Sequence, residues 1–372
     1  MTWPGYIAIA TVGYVVYGLG AVGPYLRDRL ALSDTQVGLH STAMAIGLVI
    51  AGVAAASVGA RVGELTVRAA ALALLGAAVT VLAWAPSLVA TLAAGLGIGL
   101  GAGTVLGYAN ASMATAGGSA ARVALGRANV WAMVAAFVGP VLMAFGASSG
   151  IGWWIGLMPA LVLITVDFVD VRAGTKLDID GATTTDGLPT EFWLTWVYLV
   201  AVIAVEFCIV FWAATLLERR TASSIEQASL AAAGFFAGMF VGRIGLSFGV
   251  GTTGDARRPA GIGLTLALCG ALVAWLSTIP IVSAVALFVA GVGVAVLYPI
   301  GIAAALAVAP GQLAAAGARL TLASGVAVLV APLALGAIAD LTSVVAGWAL
   351  VLGLAIVGLA LSKRLPTASP GE

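Results

Sequence analysis

The sequence has very little charge. Only 15 acidic and 16 basic side chains occur among its 372 residues, which is 8% of the chain. A soluble protein carries about 25% charged residues, so a soluble globular domain of this length is excluded. The formal net charge of +1 also offers no basic surface to nucleic acid, and we expect no nucleic-acid partner.

Side chains that bind metals or form disulfides are equally scarce. The chain has two cysteines, Cys208 and Cys269, and one histidine, His40. This set is too small for a zinc or haem cluster. Both cysteines lie in apolar runs, which predicts small buried thiols rather than a disulfide. His40 lies near the end of an apolar run and is expected at a polar interface of a membrane.

Catalytic motifs are missing as well. The chain contains no phosphate-binding G-x-x-x-x-G-K-[ST] loop, which excludes ATP as a direct energy source. No pair of a nucleophile and a base is visible in the sequence. We therefore expect neither an enzymatic activity nor a bound cofactor.

Apolar residues, in contrast, make up 62% of the chain and fall into long runs. A helix of 18 or more apolar residues can cross the roughly 30 Å hydrocarbon core of a bilayer. The 49 glycines suit close contact between such helices. The sequence predicts an all-α integral membrane protein with twelve transmembrane spans, at 5–24, 36–58, 65–85, 88–114, 123–146, 151–168, 192–217, 229–249, 260–277, 281–308, 314–338 and 342–361.

One segment interrupts this pattern. Residues 169–191 are polar and rich in turn formers, which predicts a linker between two six-helix bundles, 1–168 and 192–372. If the N-terminus is cytoplasmic, twelve of the 16 basic residues fall on the cytoplasmic side, and the positive-inside rule favours this orientation. We expect a multi-pass protein of the cytoplasmic membrane with the linker, both termini and a short tail in the cytoplasm.

Short motifs accompany this topology. Between spans two and three, Arg61 and Gly63 stand at two positions of the pattern G-x-x-x-D-R-x-G, in which Ala56 and Ala60 replace the first Gly and the Asp. Four further stretches follow: Gly139-Pro140 in span five, Gly242-Arg243 in span eight, Gly251-Thr252-Thr253-Gly254-Asp255 after it, and Pro332, Gly336 and Asp340 in span eleven.

With these motifs and a six-plus-six topology, the chain resembles the major facilitator superfamily. The resemblance implies a monomer in which two bundles rock about a central site and expose it alternately to each side of the membrane. It also implies that spans one, four, seven and ten line the cavity. Substrate sites of such folds lie near the membrane midplane, between the repeats.

Glu206 is the most informative single residue. It lies near the middle of span seven, where a charged carboxylate costs several kcal/mol unless it is paired or faces water. Burial can also keep a carboxyl group neutral, so Glu206 is a candidate for substrate binding and for proton coupling. The alternative is a structural carboxyl group that is hydrogen-bonded to a neighbouring helix.

Other polar side chains inside the spans are candidates for substrate binding. Tyr14 and Tyr17 lie three residues apart in span one and so share one side of a helix. Asn110 in span four and Asn129 in span five are amides that can bond a solute or a facing helix. For each of these residues, ordinary helix packing is the alternative interpretation.

Candidate gating residues follow. Arg243 is expected to form an inner-gate ion pair with Asp255 or with an acid of the linker, and positive-inside anchoring is the alternative. The motif match makes Arg61 a further gating candidate. Tyr298-Pro299 in span ten combines a possible ligand contact with a proline that permits a kink.

Charged clusters end two other spans. Arg27-Asp28-Arg29 and Glu218-Arg219-Arg220 lie on the expected outer side. Such charges are usually solvated or face lipid headgroups, and a role as outer-gate pairs is the minor alternative.

These observations favour a secondary transporter for a small neutral, weakly cationic or amphipathic organic solute. Few charges line the spans, whereas a phosphate or dicarboxylate needs several matched basic groups. We expect proton coupling through Glu206; sodium coupling and uniport are the alternatives. A lipid or glycolipid flippase on the same fold is the second hypothesis, and a non-transporting membrane sensor is the third.

Overall fold

The computed structural model describes residues 3–114, 118–172, 187–247, 255–309 and 313–366. Within these ranges, eleven helices are long and apolar enough to cross a membrane, and a shorter apolar helical segment covers Trp153–Val169. Most of the predicted linker lies outside the described residues, so its boundaries and those of the two bundles stay predictions.

The described residues of the first half form six α-helices and a short 3₁₀ helix, Trp153–Leu157. The α-helices are α1 (Trp3–Leu30), α2 (Asp34–Val62), α3 (Glu64–Trp84), α4 (Leu88–Ala114), α5 (Gly118–Ser148) and α6 (Met158–Arg172). Those of the second half form nine, because three spans are interrupted. They are α7 (Thr190–Thr221), α8 (Ile225–Ala232), α9 (Gly234–Ser247), α10 (Arg257–Leu276), α11 (Pro280–Val294), α12 (Leu297–Ala307), α13 (Leu313–Leu341), α14 (Val344–Gly347) and α15 (Ala349–Ser362).

The same packing pattern occurs in both halves. In the first half, α4 packs against α2 and α3, and α1 packs against α5. In the second half, α11 packs against α9 and α10, and α7 packs against α13. Across the boundary, α2 contacts α13, and α5 contacts α8 and α9. The molecule is thus a pair of six-helix bundles, and the predicted fold class is confirmed.

The tenth predicted span, 281–308, is two helices rather than one. α11 ends at Val294 and α12 begins at Leu297. Pro299 has no N–H, and its ring conflicts with the carbonyl group four residues earlier, which belongs to Ala295. Pro299 was predicted to permit a kink, and the structure has a break between α11 and α12, one turn before Pro299.

The helix order defines two faces of the molecule. We call the face that carries residues 31–33, 85–87, 149–152, 222–224, 277–279 and 342–343 the short-loop face. The opposite face, to which the chain returns between α6 and α7, is the linker face. By the positive-inside rule, the linker face is the expected cytoplasmic face.

Two of the scarce residues differ from expectation. His40 does not lie at a polar interface: it is buried, and its Nε2 lies 2.9 Å from the Thr91 hydroxyl of α4. Cys208 is buried as predicted, whereas Cys269 is exposed. The buried histidine is tolerated because both ring nitrogens have a partner, the Nδ1 atom contacting backbone carbonyl groups of its own helix.

Glycines allow α2 and α4 to approach closely. A methyl group added at Gly99 in α4 would collide with the carbonyl oxygen of Met44 in α2. Gly107 lies two turns later in α4, and a methyl group there would meet nothing within 4 Å. Membrane helices depend on such close packing, because lipid supplies no hydrophobic drive for their association.

Gly99→Ala is therefore expected to destabilise the protein by about 1–3 kcal/mol, as overpacking of a dense core does. Gly107→Ala is the matched control, and it should be neutral or slightly stabilising, since alanine favours helix more than glycine does. The measurement is the thermal unfolding midpoint of the detergent-purified protein. Equal midpoints for the two variants would contradict the close α2–α4 contact.

Candidate functional site

A buried hydrogen bond joins the two bundles near the middle of the helices. The Tyr17 hydroxyl of α1 donates to Glu206 Oε1 of α7 at 2.6 Å. Glu206 is 5% exposed, and it accepts no other hydrogen bond from the described residues. The Glu206 carboxylate in the second bundle thus binds one hydroxyl group of the first bundle.

A second hydrogen bond crosses the same boundary. Arg243 of α9 donates from Nη1 to Asn129 Oδ1 of α5 at 2.9 Å. The Arg243 guanidinium also lies beside the Tyr17 hydroxyl and acts electrostatically on Glu206. One tyrosine hydroxyl therefore lies next to both a buried carboxylate and a guanidinium group.

The two charges do not form a direct ion pair. Among the described residues, ion pairs within 4 Å join Arg27 to Asp34 and Glu218, and Arg68 to Glu64. Glu206 and Arg243 are thus close but separate. Because Glu206 and Arg243 carry opposite charges, this pair of residues has no net charge when both are ionised.

The break before Pro299 brings a third helix to this centre. Tyr298, the second residue of α12, lies beside the charges of Glu206 and Arg243, and its hydroxyl approaches Ser324 of α13. We call the five side chains at this centre the central cluster: Tyr17, Asn129, Glu206, Arg243 and Tyr298. Helices of both bundles supply it.

Aromatic rings cover one side of the central cluster. The Tyr17 ring stacks on Phe207 at 6.0 Å and meets the edge of Phe236 at 5.6 Å. Beyond Phe236 lies a cavity with mainly apolar walls, lined among others by Ala21, Pro140, Ile209, Val210, Ala213 and Ser229. Ala21 follows Tyr17 in α1, and Ile209 follows Glu206 in α7, both in the direction of the short-loop face. The cavity therefore lies on that side of the cluster.

Other predicted residues lie elsewhere. Tyr14 is separated from Tyr17: its hydroxyl donates to the carbonyl oxygen of Gly156 at 2.8 Å, within the first bundle. Asn110 is exposed near the end of α4. In the described part of the chain, neither Tyr14 nor Asn110 forms a hydrogen bond with Tyr17 or Glu206.

The partner of Arg243 also differs from the predicted gating pair. Asp255 is exposed and accepts from the backbone N–H of Arg257 at 3.0 Å, while Arg243 binds Asn129. The acids of the linker at 173–186 lie outside the described residues. Arg61 is exposed in the last turn of α2, and no hydrogen bond or ion pair is found for it in the part of the chain that the structure describes.

Contacts between the bundles at the short-loop face were mostly missed from the sequence. The Asp340 carboxylate at the end of α13 accepts from the backbone N–H groups of Asp34 at 2.8 Å and Thr35 at 2.9 Å. Arg27 of α1 forms an ion pair with Glu218 of α7. The charge clusters at the ends of spans one and seven were the signal for Arg27 and Glu218, whereas for Asp340 the sequence offered only its motif with Pro332 and Gly336.

The described part of the chain has eleven membrane-length helices and one shorter apolar helix in two bundles, with a central cluster between them. It has the fold of major facilitator transporters and is a multi-pass membrane protein. No protein-family model and no curated protein sequence matches the chain.

Solved structures match it over nearly its whole length. A bacterial homolog of the human lysosomal transporter Spinster, inward-facing and unoccupied, has a TM-score of 0.73 at 15% identity and covers 99% of this chain and 98% of its own. The same homolog in an inward-facing, occupied conformation gives 0.73 at 16% identity. A mutant of the nucleoside transporter NupG gives 0.75 at 13% identity over 97% of this chain and 99% of its own. At these identities the likeness shows the fold.

Proposed function

We propose that the protein is a secondary transporter that moves a small organic solute across the cytoplasmic membrane by alternating access, with protons coupled through Glu206. The observation that carries the proposal is the hydrogen bond between Tyr17 and Glu206, which joins the two bundles at a buried carboxylate. The nucleoside transporter among the similar structures supports a solute of organic type.

The position of the cluster supports this function physically. Transporters of this kind bind substrate near the membrane midplane at the interface of their repeats. An ionisable group in a spanning helix is costly, and its usual role is in a substrate, ion or proton pathway. Glu206 meets both conditions, since it lies in the middle of α7 and faces α1 of the other bundle.

The cluster also provides a way to couple motion to proton binding. If the bundles rock, the contacts Tyr17–Glu206 and Arg243–Asn129 must change, because each joins one bundle to the other. Opening the centre to water on one side then favours the charged carboxylate, and closing it favours the neutral one. A proton can thus be taken up on one side of the membrane and released on the other.

The experiment has two stages. The purified protein is first heated with a solute library at about pH 5.5 and about pH 7.5, since a ligand that binds the folded state raises the unfolding temperature. Hits are then tested for accumulation in proteoliposomes under a pH gradient. Accumulation that follows the gradient supports the proposal. Stabilisation by lipids alone, with no solute accumulated, would contradict it and favour the flippase hypothesis.

A further inference from the structure

We propose that the transported solute is a small zwitterion with an apolar body. Its cationic group would bind Glu206, its anionic group would bind Arg243, and its apolar part would extend toward the short-loop face. This inference rests on the proposed transport function and specifies the substrate class of the same site.

The first step is the separation of two opposite charges, of which Glu206 is buried and Arg243 is partly buried. They lie at one centre, yet they form no ion pair within 4 Å. Charges that lose hydration without a direct partner are unfavourable. A molecule that carries both signs can lie between the two groups and neutralise each of them.

The second step is the hydrogen-bonding capacity that remains. Glu206 uses Oε1 to accept from Tyr17, and Oε2 has no donor among the described residues. Arg243 uses Nη1 for Asn129, and its buried Nε–H has no acceptor in the described part of the chain. One acceptor and one donor of opposite charge are therefore left at the same centre. An ammonium group and a carboxylate are the matching pair.

The third step is the apolar cavity. It begins one turn after Glu206 in α7, at Ile209 and Val210, and it also touches Phe236, whose ring edge meets Tyr17. The cavity measures only about 20 Å³, which is room for about one water molecule, so an apolar group can enter it only when the bundles move apart. Its aliphatic and aromatic walls then favour that group through burial. Polar groups at one end and apolar walls at the other describe a site for an amphipathic molecule.

The number and sign of the charged groups on the solute separate this substrate class from its alternatives. A simple cation would neutralise Glu206 but leave Arg243 unsatisfied, and a simple anion would do the reverse. A neutral alcohol or amide would satisfy neither charge fully. Leaving one member of a buried charged pair without its partner is the costly outcome, so the zwitterion is the best match.

The test uses four probes that share the isobutyl group of leucine. They are leucine, which is the zwitterion, 3-methylbutylamine, the cation, 4-methylpentanoate, the anion, and 3-methylbutanol, the neutral form. The β- and γ-amino homologues of leucine extend the charge separation. At least one zwitterion is expected to bind about tenfold or more tightly than the other three probes, since hydrogen bonds between charged groups are stronger than those of neutral groups.

Two variants make the assignment specific. Arg243→Gln should remove the advantage of the zwitterion over the amine, and Glu206→Gln should remove its advantage over the acid. Tyr14→Phe is the control, because that hydroxyl binds Gly156 within the first bundle; it should preserve the preference for the zwitterion.

Two results would overturn the inference. One is equal or tighter binding of the amine, acid or alcohol to the unmodified protein. The other is the absence of binding by any zwitterion when the library screen finds a different solute that is accumulated. In the second case the transport function stands and only the substrate class fails. A protein that accumulates no solute at all would instead contradict the transport function itself.

Discussion

Glu206→Gln is expected to abolish accumulation of the solute under a pH gradient while leaving exchange of solute for solute measurable. Glutamine has nearly the shape of a protonated glutamate, so its amide can still accept from the Tyr17 hydroxyl. It cannot bind and release a proton, and the pH gradient then has no group to act on. One proton per solute and a gradient of one pH unit support about tenfold accumulation, because about 1.4 kcal/mol corresponds to a factor of ten. Without coupling the accumulation ratio should fall to about one.

The same substitution should not unfold the protein. Replacing a buried carboxylate by a neutral amide of equal size removes a desolvation cost, so the unfolding midpoint is expected to stay unchanged or to rise. Asp167→Asn is the matched control, since Asp167 is also a buried carboxyl residue, in α6, at 1% exposure. Equal loss of pH-driven accumulation in both variants would argue against a special role for Glu206.

The fold was predictable because the bilayer fixes the length of each span. Runs of about 20 apolar residues, short polar turns and a bias of basic residues were enough to place twelve spans. The interruptions were harder to predict. Pro299 indicated the break before α12, whereas the short 3₁₀ helix that precedes α6 carries no such signal, since its Trp153-Trp154-Ile155 sequence is as apolar as a regular span.

The sequence indicated candidate residues but not which of them lie together: Tyr17 contacts Glu206, whereas Tyr14 and Asn110 lie elsewhere. Glu206 is visible because a lone charge inside an apolar run is rare. Its partner Tyr17 lies 189 positions away in the sequence, and such a contact depends on how each helix is rotated about its axis. Tyr14 and Tyr17 illustrate the limit: residues three apart differ by about 60° in direction around a helix, and this difference sends one hydroxyl to Gly156 and the other to Glu206.

The contact of Asp340 with α2 could not be predicted from side chains, because its partners are backbone groups. The first N–H groups of a helix have no partner within the helix, and a negative charge near them is favourable. Ser33 caps Gln36 in its own bundle, and Asp340 from the other bundle binds the N–H groups of Asp34 and Thr35. Both bundles thus cap the start of α2. When the bundles separate at this face, α2 must lose its hydrogen bonds to Asp340.

Asp340→Ala is therefore expected to shift the protein toward conformations with the short-loop face open. Two hydrogen bonds to a carboxylate are lost, each contributing about 0.5–1 kcal/mol at an exposed position. A total of about 1–2 kcal/mol corresponds to a roughly 5- to 30-fold change in the conformational equilibrium. The ion pair between Arg27 and Glu218 remains on the same face and limits the shift. Adding Glu218→Gln to the variant should therefore increase it.

The shift can be measured as a distance between spin labels at two exposed residues of the short-loop face, Asp28 in the first bundle and Thr278 in the second. The exposed Cys269 is first replaced by serine, so that labels attach only at the chosen positions. The population with the longer distance should grow in Asp340→Ala. Thr342→Ala is the control on the same face, because the Thr342 hydroxyl donates only to Ile338 within α13. If Asp340→Ala leaves the distance distribution as it is in the control, the cap on α2 does not hold this face closed, and the closure must depend on apolar packing between α2 and α13.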